Sequence, residues 1–285
     1  MMIGVTGASG ALGRRIVREL SEAGGADLML GTRSGTLTDA PAGAEVRAVN
    51  FSDEAGTRQA FTGVEHLLLI STGADTPERI KQHLVAIDAA VAAGVHRIVY
   101  TSFIDHQAAS PFPFAAVHEV TERALRESGV PWVALRNGQY ADRFIEFAAG
   151  VAESGALRLP IAPDKGSSFI SRDDLARFAA RVLRTPEIEG VLTPTGVALV
   201  TYAQATDALA KALGRPVVFE QCSPKEYYES LIAEGWPEWE AEAFTRFFDA
   251  IAQGRTSTIT TDFADLLGED PTPVAAYIAA GVGRI

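Results

Sequence analysis

A short apolar run, a glycine-rich turn and an amphipathic segment follow one another without a break at the head of the chain. Ile3-Gly4-Val5-Thr6-Gly7-Ala8-Ser9-Gly10-Ala11-Leu12-Gly13 leads straight into Arg14-Arg15-Ile16-Val17-Arg18-Glu19-Leu20. Gly7, Gly10 and Gly13, spaced by threes, suit three separate demands. The first permits a tight exit from a strand. The second lets backbone N–H groups approach a pyrophosphate, and the third lets the new helix press on the sheet. Free N–H groups and partial positive charge at the helix start then face the phosphates. Plain turns also carry glycine triplets, but the strand before and the helix after favour a dinucleotide. Gly7, Ser9, Gly10, Ala11 and Leu12 are the expected contacts.

Composition narrows the setting. A chain of 285 residues holds one large α/β domain, or such a domain with a small appendage. Its net charge of −11 argues against nucleic acid or an anionic membrane surface as a partner. An anionic cofactor therefore needs positive groups or N–H donors gathered locally. Cys222 is the sole cysteine, which excludes an intramolecular disulfide and a cysteine-based zinc cluster, and no metal site is expected. No stretch approaches the roughly 20 uninterrupted apolar residues of a membrane span. A first strand starting at Met2 or Ile3 leaves no room for a signal peptide, so the expectation is a cytoplasmic protein.

Residues 26–33 read as a second strand and its exit, and a Gly/Ser/Pro loop leads to a third strand over 44–49. Ser52 is the expected N-cap of the next helix. Residues 64–70 form a largely apolar run closed by Ser71-Thr72-Gly73, as suits a strand buried on both faces. A helix over 77–93 presents Ile80, Leu84, Val85, Ile87 and Val91 at helical spacing. Residues 95–102 are a fifth strand, 114–127 a helix and 131–136 a sixth strand. This alternation predicts an α/β fold, a Rossmann-like doubly wound parallel sheet.

The second half changes character. Short extended pieces are expected at 155–161, 168–170, 190–194 and 216–221. Ser171 and Thr201 are the expected N-caps of helices ending near Leu183 and Gly214, Thr201 with capping-box spacing to Gln204. From Pro224 the chain is mostly helical and rich in large aromatics, among them Tyr227, Tyr228, Trp236, Trp239, Phe244, Phe247 and Phe248. Residues 1–150 are the expected dinucleotide-binding domain, completed by segments around 168–200. Residues 151–285 are the expected smaller, mostly helical substrate domain.

The opening motif, together with Val99-Tyr100-Thr101-Ser102 and Leu135-Arg136-Asn137-Gly138-Gln139-Tyr140, resembles the extended and atypical short-chain dehydrogenase/reductases. The last two stretches, with His118-Glu119-Val120-Thr121-Glu122 as His-x-x-x-Glu, are similar to the NmrA-like branch. Within it the chain resembles bacterial type-2 quinone oxidoreductases and triphenylmethane reductases. That likeness reaches the tail, at Phe248-Asp249-Ala250-Ile251-Ala252-Gln253-Gly254 and Leu267-Gly268-Glu269-Asp270-Pro271-Thr272-Pro273. The resemblance implies a nicotinamide-dependent reductase, or one of the non-enzymatic cofactor sensors of the same branch.

Cofactor choice is legible at the end of the second strand, where an NAD-binding protein usually places Asp or Glu. Here the chain reads Gly31-Thr32-Arg33-Ser34, and Arg33 lies 20 residues beyond Gly13. A planar guanidinium can grip a 2′-phosphate and stack on adenine, so NADPH is expected. Arg14 is a possible assistant, though an exposed helix arginine accounts for it equally well. Ligands of open α/β sheets bind at the carboxyl ends of the strands. Asn50 and Phe51 are therefore expected to flank the adenine. Ser71, Thr72 and Gly73 are placed over the ribose and pyrophosphate, Thr101 near the nicotinamide, and Asn137 at the end of the sixth strand.

No tyrosine has lysine four residues on; Tyr100 is followed at that distance by Ile104 and Tyr140 by Phe144. Short-chain dehydrogenases commonly use such a pair to protonate an alkoxide, and in related reductases the lysine position corresponds to His118. A quinone reduced by hydride instead leaves a delocalised anion whose oxygen resembles a phenolate of pKa about 10. Hydride addition to a cationic dye needs no proton. Ser102, His118 and Tyr140 are the candidate catalytic residues, with His106 a weaker one; a helix-face role for His118 and a packing role for Tyr140 remain open. His66, His83 and His96 read as surface. Phe103, Phe144 and Trp236 are candidate walls of an apolar slot. The expected partner is a flat, quinone-like or aromatic small molecule. A redox sensor acting through a protein partner is the second reading, and the sequence does not indicate an oligomeric state.

Overall fold

A computed structural model describes residues 1–283. The chain begins with β1 (Met2–Val5), α1 (Ala11–Ala23), β2 (Asp27–Thr32), β3 (Glu45–Ala48), α2 (Glu54–Ala60), β4 (His66–Leu69), α3 (Thr76–Ala92) and β5 (Arg97–Phe103). It continues through α4 (Phe114–Glu127), β6 (Trp132–Asn137), β7 (Gln139–Tyr140), α5 (Asp142–Ser154), β8 (Ala156–Leu159), β9 (Gly166–Ser167), β10 (Phe169–Ile170), α6 (Arg172–Arg184) and β11 (Gly190–Leu192). The remainder holds β12 (Val200–Thr201), α7 (Tyr202–Leu213), β13 (Val218–Gln221), α8 (Pro224–Ala233), α9 (Glu238–Ala252), α10 (Asp262–Leu267) and α11 (Val274–Val282). Among the described residues no helix is long and apolar enough to cross a membrane.

The chain divides into two interleaved units. Residues 1–103, 117–136 and 175–192 make the first; 104–116, 137–174 and 193–285 make the second. Residues 104–116 and 137–150 thus fall outside the first unit, although they precede position 150. The return of 175–192 has a plain cause, since β11 pairs in parallel with β6 and extends the sheet.

The first unit is a seven-stranded sheet in the order β11-β6-β5-β4-β1-β2-β3. Val5 lies opposite both Leu30 and Leu68, and Leu69 opposite Tyr100, all in parallel register. Strand order reverses between β1 and β4, which sets the ligand crevice of a doubly wound sheet at the carboxyl ends of those two strands. Thr6 ties them together: its N–H donates to the Leu68 carbonyl at 3.0 Å, and its hydroxyl accepts the Ile70 N–H at 2.9 Å.

Two expectations change here. The buried side of α3 is His83, Ala86, Ile87, Ala89 and Ala90, while Leu84 and Val85 are half-buried and Val91 is exposed. The cause is close approach, because alanines let the helix backbone come near its neighbours. The cap of α2 is Asp53, whose carboxylate accepts the Gly56 N–H at 3.0 Å; Ser52 stands one residue too early. Ser171 does accept the Asp174 N–H at 3.0 Å, and Thr201 and Gln204 form the capping box.

His66 and His83 are buried, whereas His96 is exposed. The His66 Nδ1–H donates to the Leu183 carbonyl at 2.9 Å, at the end of α6. Arg97, 2% exposed, donates to the carbonyls of Val182 at 2.8 Å and Ile188 at 2.5 Å. A cation at a helix C-terminus satisfies carbonyls that the helix leaves unpaired. These two side chains therefore fasten a segment about 85 to 117 residues distant in sequence to the starts of β4 and β5.

Within the second unit the aromatics supply the core. Phe144 packs on Phe169 at 4.9 Å and on Tyr202 at 5.9 Å, and Phe248 on Tyr227 at 5.3 Å. Phe144, at 1% exposure, is core and cannot line a slot. Trp236, half-buried, stacks edge-on with Phe244 at 5.4 Å. Arg97→Leu should lower the unfolding free energy by about 2–4 kcal/mol in urea titrations, because it strands two carbonyls. A loss below about 0.5 kcal/mol would contradict the fastening role assigned to Arg97.

Candidate functional site

The turn after β1 adopts the geometry that its glycines permit. Gly7 has φ +61°, and the Gly10 N–H donates to the Gly7 carbonyl at 2.9 Å. A Cβ on Gly13 would lie 2.2 Å from that same carbonyl oxygen, so only glycine lets α1 start there. Gly10 caps α1 without any side-chain hydrogen bond, and the first turn contains no acid. Ser9, Gly10 and Ala11 are exposed, while Leu12 is buried. The helix start therefore offers N–H donors and partial positive charge to an anion.

At the end of β2, Arg33 is exposed and has no hydrogen bond or ion pair among the described residues. Arg14 differs: its Nε–H donates to the Ser9 carbonyl at 2.9 Å and its guanidinium pairs with Asp39. Asn50 is exposed and folds an Asx turn, its side-chain oxygen accepting the Ser52 N–H at 3.1 Å. Phe51, read from the sequence as an adenine neighbour, is 9% exposed and belongs to the core cluster with Val49 and Phe61. Its side chain is spent on packing.

At the ends of β4 and β5 the polar side chains hold one another. The Thr101 hydroxyl accepts the Ser71 N–H at 2.9 Å, which clasps the two strands. Thr72 donates its N–H to His83 Nε2 at 3.1 Å, yet its hydroxyl oxygen is buried with no hydrogen-bond partner among the described residues. Such an orphaned group suits a ligand. Gly73 is exposed and open.

Ser102 donates its hydroxyl proton to Glu122 Oε1 at 2.7 Å. Arg136 reaches the same carboxylate with two hydrogen bonds of 3.0 and 2.7 Å, and Glu122 is only 1% exposed. One helical turn earlier on α4, His118 Nδ1 lies 2.7 Å from the Tyr100 hydroxyl. Phe103, half-buried, has its ring 6.1 Å from the His118 ring. Tyr100, Ser102, Thr101, Ser71, Thr72 and His118 thus gather in the first unit.

Asn137, Tyr140 and His106 belong to the second unit. Asn137 is buried, and its carbonyl accepts the Ile104 N–H at 3.0 Å. The Tyr140 ring lies 4.7 Å from the Arg172 guanidinium; burial pushes its phenol up, against the pull of that cation. The His106 Nδ1–H donates to the Ile104 carbonyl at 3.2 Å.

Sequence reading missed Tyr100, His83, Glu122 and Arg136 as members of this network. Their signal was a polar residue inside a buried strand or helix face, which implies a partner without naming it.

An uncapped helix start beside an open arginine, at the switch point of a parallel sheet, defines a Rossmann-type nucleotide-binding fold. Over residues 1–278 the chain matches the NmrA-like family, and it belongs to that family. It is 32% identical over 282 residues to quinone oxidoreductase 2 of Escherichia coli, covering 98% of each chain. A crystal structure of NADPH-dependent quinone oxidoreductase from Escherichia coli, complexed with NADPH, superimposes with a TM-score of 0.88 at 29% identity, covering 98% and 99%. Triphenylmethane reductase of Citrobacter, complexed with NADP(H), gives 0.88 at 31% identity, also covering 98% and 99%. NmrA, a negative transcriptional regulator, gives 0.78 at 16% identity over 98% and 94%, a likeness of fold alone.

His83 gives the network a measurable pH signature. Burial lowers its imidazole from the ordinary 6.5 to about 3, so it stays neutral in the folded chain. The unfolded chain takes up that proton near pH 6.5, so stability is full above this value and falls as pH drops towards 3. Each proton contributes a slope of about 1.4 kcal/mol per pH unit. Urea unfolding between pH 7 and 4 should show a slope one proton steeper for the parent than for His83→Gln. Equal slopes would contradict a buried neutral imidazole.

Proposed function

We propose that this chain is an NADPH-dependent reductase that passes hydride to a quinone or similarly flat, conjugated acceptor. The observation that carries the cofactor half is Arg33, an open guanidinium at the end of β2 with no carboxylate in Gly31-Thr32-Arg33-Ser34. Its planar fork matches a 2′-phosphate in two parallel hydrogen bonds. The N–H groups at the start of α1 hold the pyrophosphate, and the orphaned Thr72 hydroxyl takes a cofactor hydrogen bond. NADPH, when bound, supplies the hydride.

The acceptor half rests on what stands near β5. No Tyr-x-x-x-Lys pair is present in the sequence, and the Ser102 hydroxyl is committed to Glu122. The chain therefore has no strong acid of the usual kind for a ketone-derived alkoxide. His118 offers a hydrogen-bond donor to the acceptor's oxygen, sufficient for a phenolate-like anion of pKa about 10. The residues that hold cofactor and acceptor contribute mainly orientation, which by itself can be worth several kcal/mol. The relatives that reduce quinones and dyes support the same class of acceptor.

NADPH oxidation followed by absorbance with benzoquinone, naphthoquinone and triphenylmethane dyes tests the reading, with turnover of at least one expected. Silence with all of them, together with unequal affinity for NADP⁺ and NADPH, would point to a redox sensor. Arg33→Asp should raise the apparent KM for NADPH by about 10–100-fold, the equivalent of a charge-assisted pair, and change that for NADH far less. Equal effects on the two cofactors would remove the assignment of Arg33.

A further inference from the structure

Wholly within the second unit, α5, β8 and α8 line a cavity of about 330 Å³, at the small end of the range for ligand pockets. Val151, Leu157, Leu159 and Leu231 give it an apolar wall. Several polar side chains there are already committed. Ser154 donates to the Gly150 carbonyl at 2.9 Å, Ser230 to the Tyr227 carbonyl at 2.7 Å, and Arg158 pairs with Glu226 at 2.6 Å. Tyr227 and Arg143 still have donors to give. Tyr227 is 7% exposed, and its hydroxyl has no hydrogen-bond partner among the described residues. The groups that act on this hydroxyl, Arg143, Glu234 and Cys222, all line the cavity, so the phenol is aimed into it. Burial pushes the phenol up to about 12, which keeps it a donor at neutral pH. The Arg143 guanidinium gives one N–H to Glu146 at 2.8 Å, and its other N–H groups have no acceptor among the described residues. The Phe147 and Phe244 rings flank it at 5.3 Å and the Trp236 ring at 5.9 Å, so aromatic rings hold its position.

We propose that this cavity binds a small aromatic carboxylate, with the ring on the apolar wall and the carboxylate between Arg143 and Tyr227. The residue types decide the class. An apolar lining favours a flat hydrocarbon body. Two spare donors need acceptors, and a carboxylate offers two oxygens at once. One donor is a permanent cation, and a hydrogen bond between it and an anion is about twice as strong as a neutral one. A ligand with no acceptor would leave the Tyr227 hydroxyl buried and unpaired, and a cation would meet Arg143. Glu234 is exposed, so water and salt screen its repulsion of an anion. Occupancy needs no hydride transfer, and the site therefore stands apart from the reductase reading.

Cys222, the sole cysteine, lines the same cavity and can report its occupancy. The probe is 2-naphthoate, titrated against alkylation of Cys222 by iodoacetamide at pH 8 and read by mass. The full chain is used with saturating NADPH, which keeps the probe out of a nucleotide site. Protection should be saturable. Tyr227→Phe should raise the half-protecting concentration by about 3–10-fold and Arg143→Met by about 10–100-fold, the equivalents of a neutral and a charged hydrogen bond. The neutral analogue 2-naphthamide should protect at least about tenfold less well. Calorimetric titration of the same chains reads the affinities without the thiol and decides where alkylation is slow. Absence of 2-naphthoate binding by both measurements up to millimolar concentration overturns the proposal. So does equal binding of 2-naphthamide, a comparison that holds even if a variant does not fold. Unaltered affinity in both folded variants overturns it as well.

Discussion

The start of α1 is pressed so closely on the turn after β1 that residue 13 has no room for a single carbon beyond its backbone. Much of what the first unit can do depends on that approach. It fixes the first N–H groups of the helix against the end of β1. Thr6 in turn fixes the end of β1 to that of β4 through two hydrogen bonds. An anion bound there meets donors that do not have to be gathered at the moment of binding, and such preorganisation is where affinity is gained. A glycine at 13 loses more backbone entropy on folding than a larger residue would. The close seat of the helix is what the fold obtains in exchange.

A second constraint is the treatment of buried polar groups on β4 and β5. Many of them hold the backbone or each other: Thr101 accepts the Ser71 N–H, Ser102 and Arg136 share Glu122, and Tyr100 meets His118. In a low-dielectric interior such chains are rigid because each unmade bond is expensive. They leave the adjacent Ser71 and Thr72 hydroxyls at the end of β4 buried without a hydrogen-bond partner among the described residues. The contrast between Arg14, paired to Asp39, and Arg33, paired to nothing among the described residues, is of the same kind. What a protein leaves unsatisfied beside a largely satisfied network is informative about what it binds.

The alternation of strands and helices over the first half was readable from the sequence because parallel strands buried on both faces leave long apolar runs, and those at 64–70 and 131–136 carry β4 and β6. The glycine turn and the place of Arg33 just after β2 were readable because each stands at a fixed distance from a strand end. Other features were not, and for physical reasons. The small residues Ala86, Ala89 and Ala90 carry little hydrophobic signal, so the buried side of α3 was hidden behind larger apolar residues on its flank. His66 and His83 look like surface residues until their partners, Leu183 and Thr121, are brought in from 117 and 38 positions away. The burial of Phe51 and Phe144 was not legible, because aromatic character does not distinguish a core residue from a wall. Only burial does so.

The interleaving of the two units bears on how the chain comes to be folded. Each unit is made of three separate segments, and the last segment of the first unit, 175–192, supplies β11, whose partner β6 ends 53 residues before β11 begins. A ribosome-bound chain that has emerged only as far as residue 136 holds six of the seven sheet strands and neither of the carbonyls that Arg97 engages. Its guanidinium has no helix end to cap until α6 arrives. Contacts of such long sequence separation form late and slow folding. The nucleotide-binding unit is therefore not a fragment that can be cut out at one boundary. It becomes complete only after much of the second unit has already been synthesised.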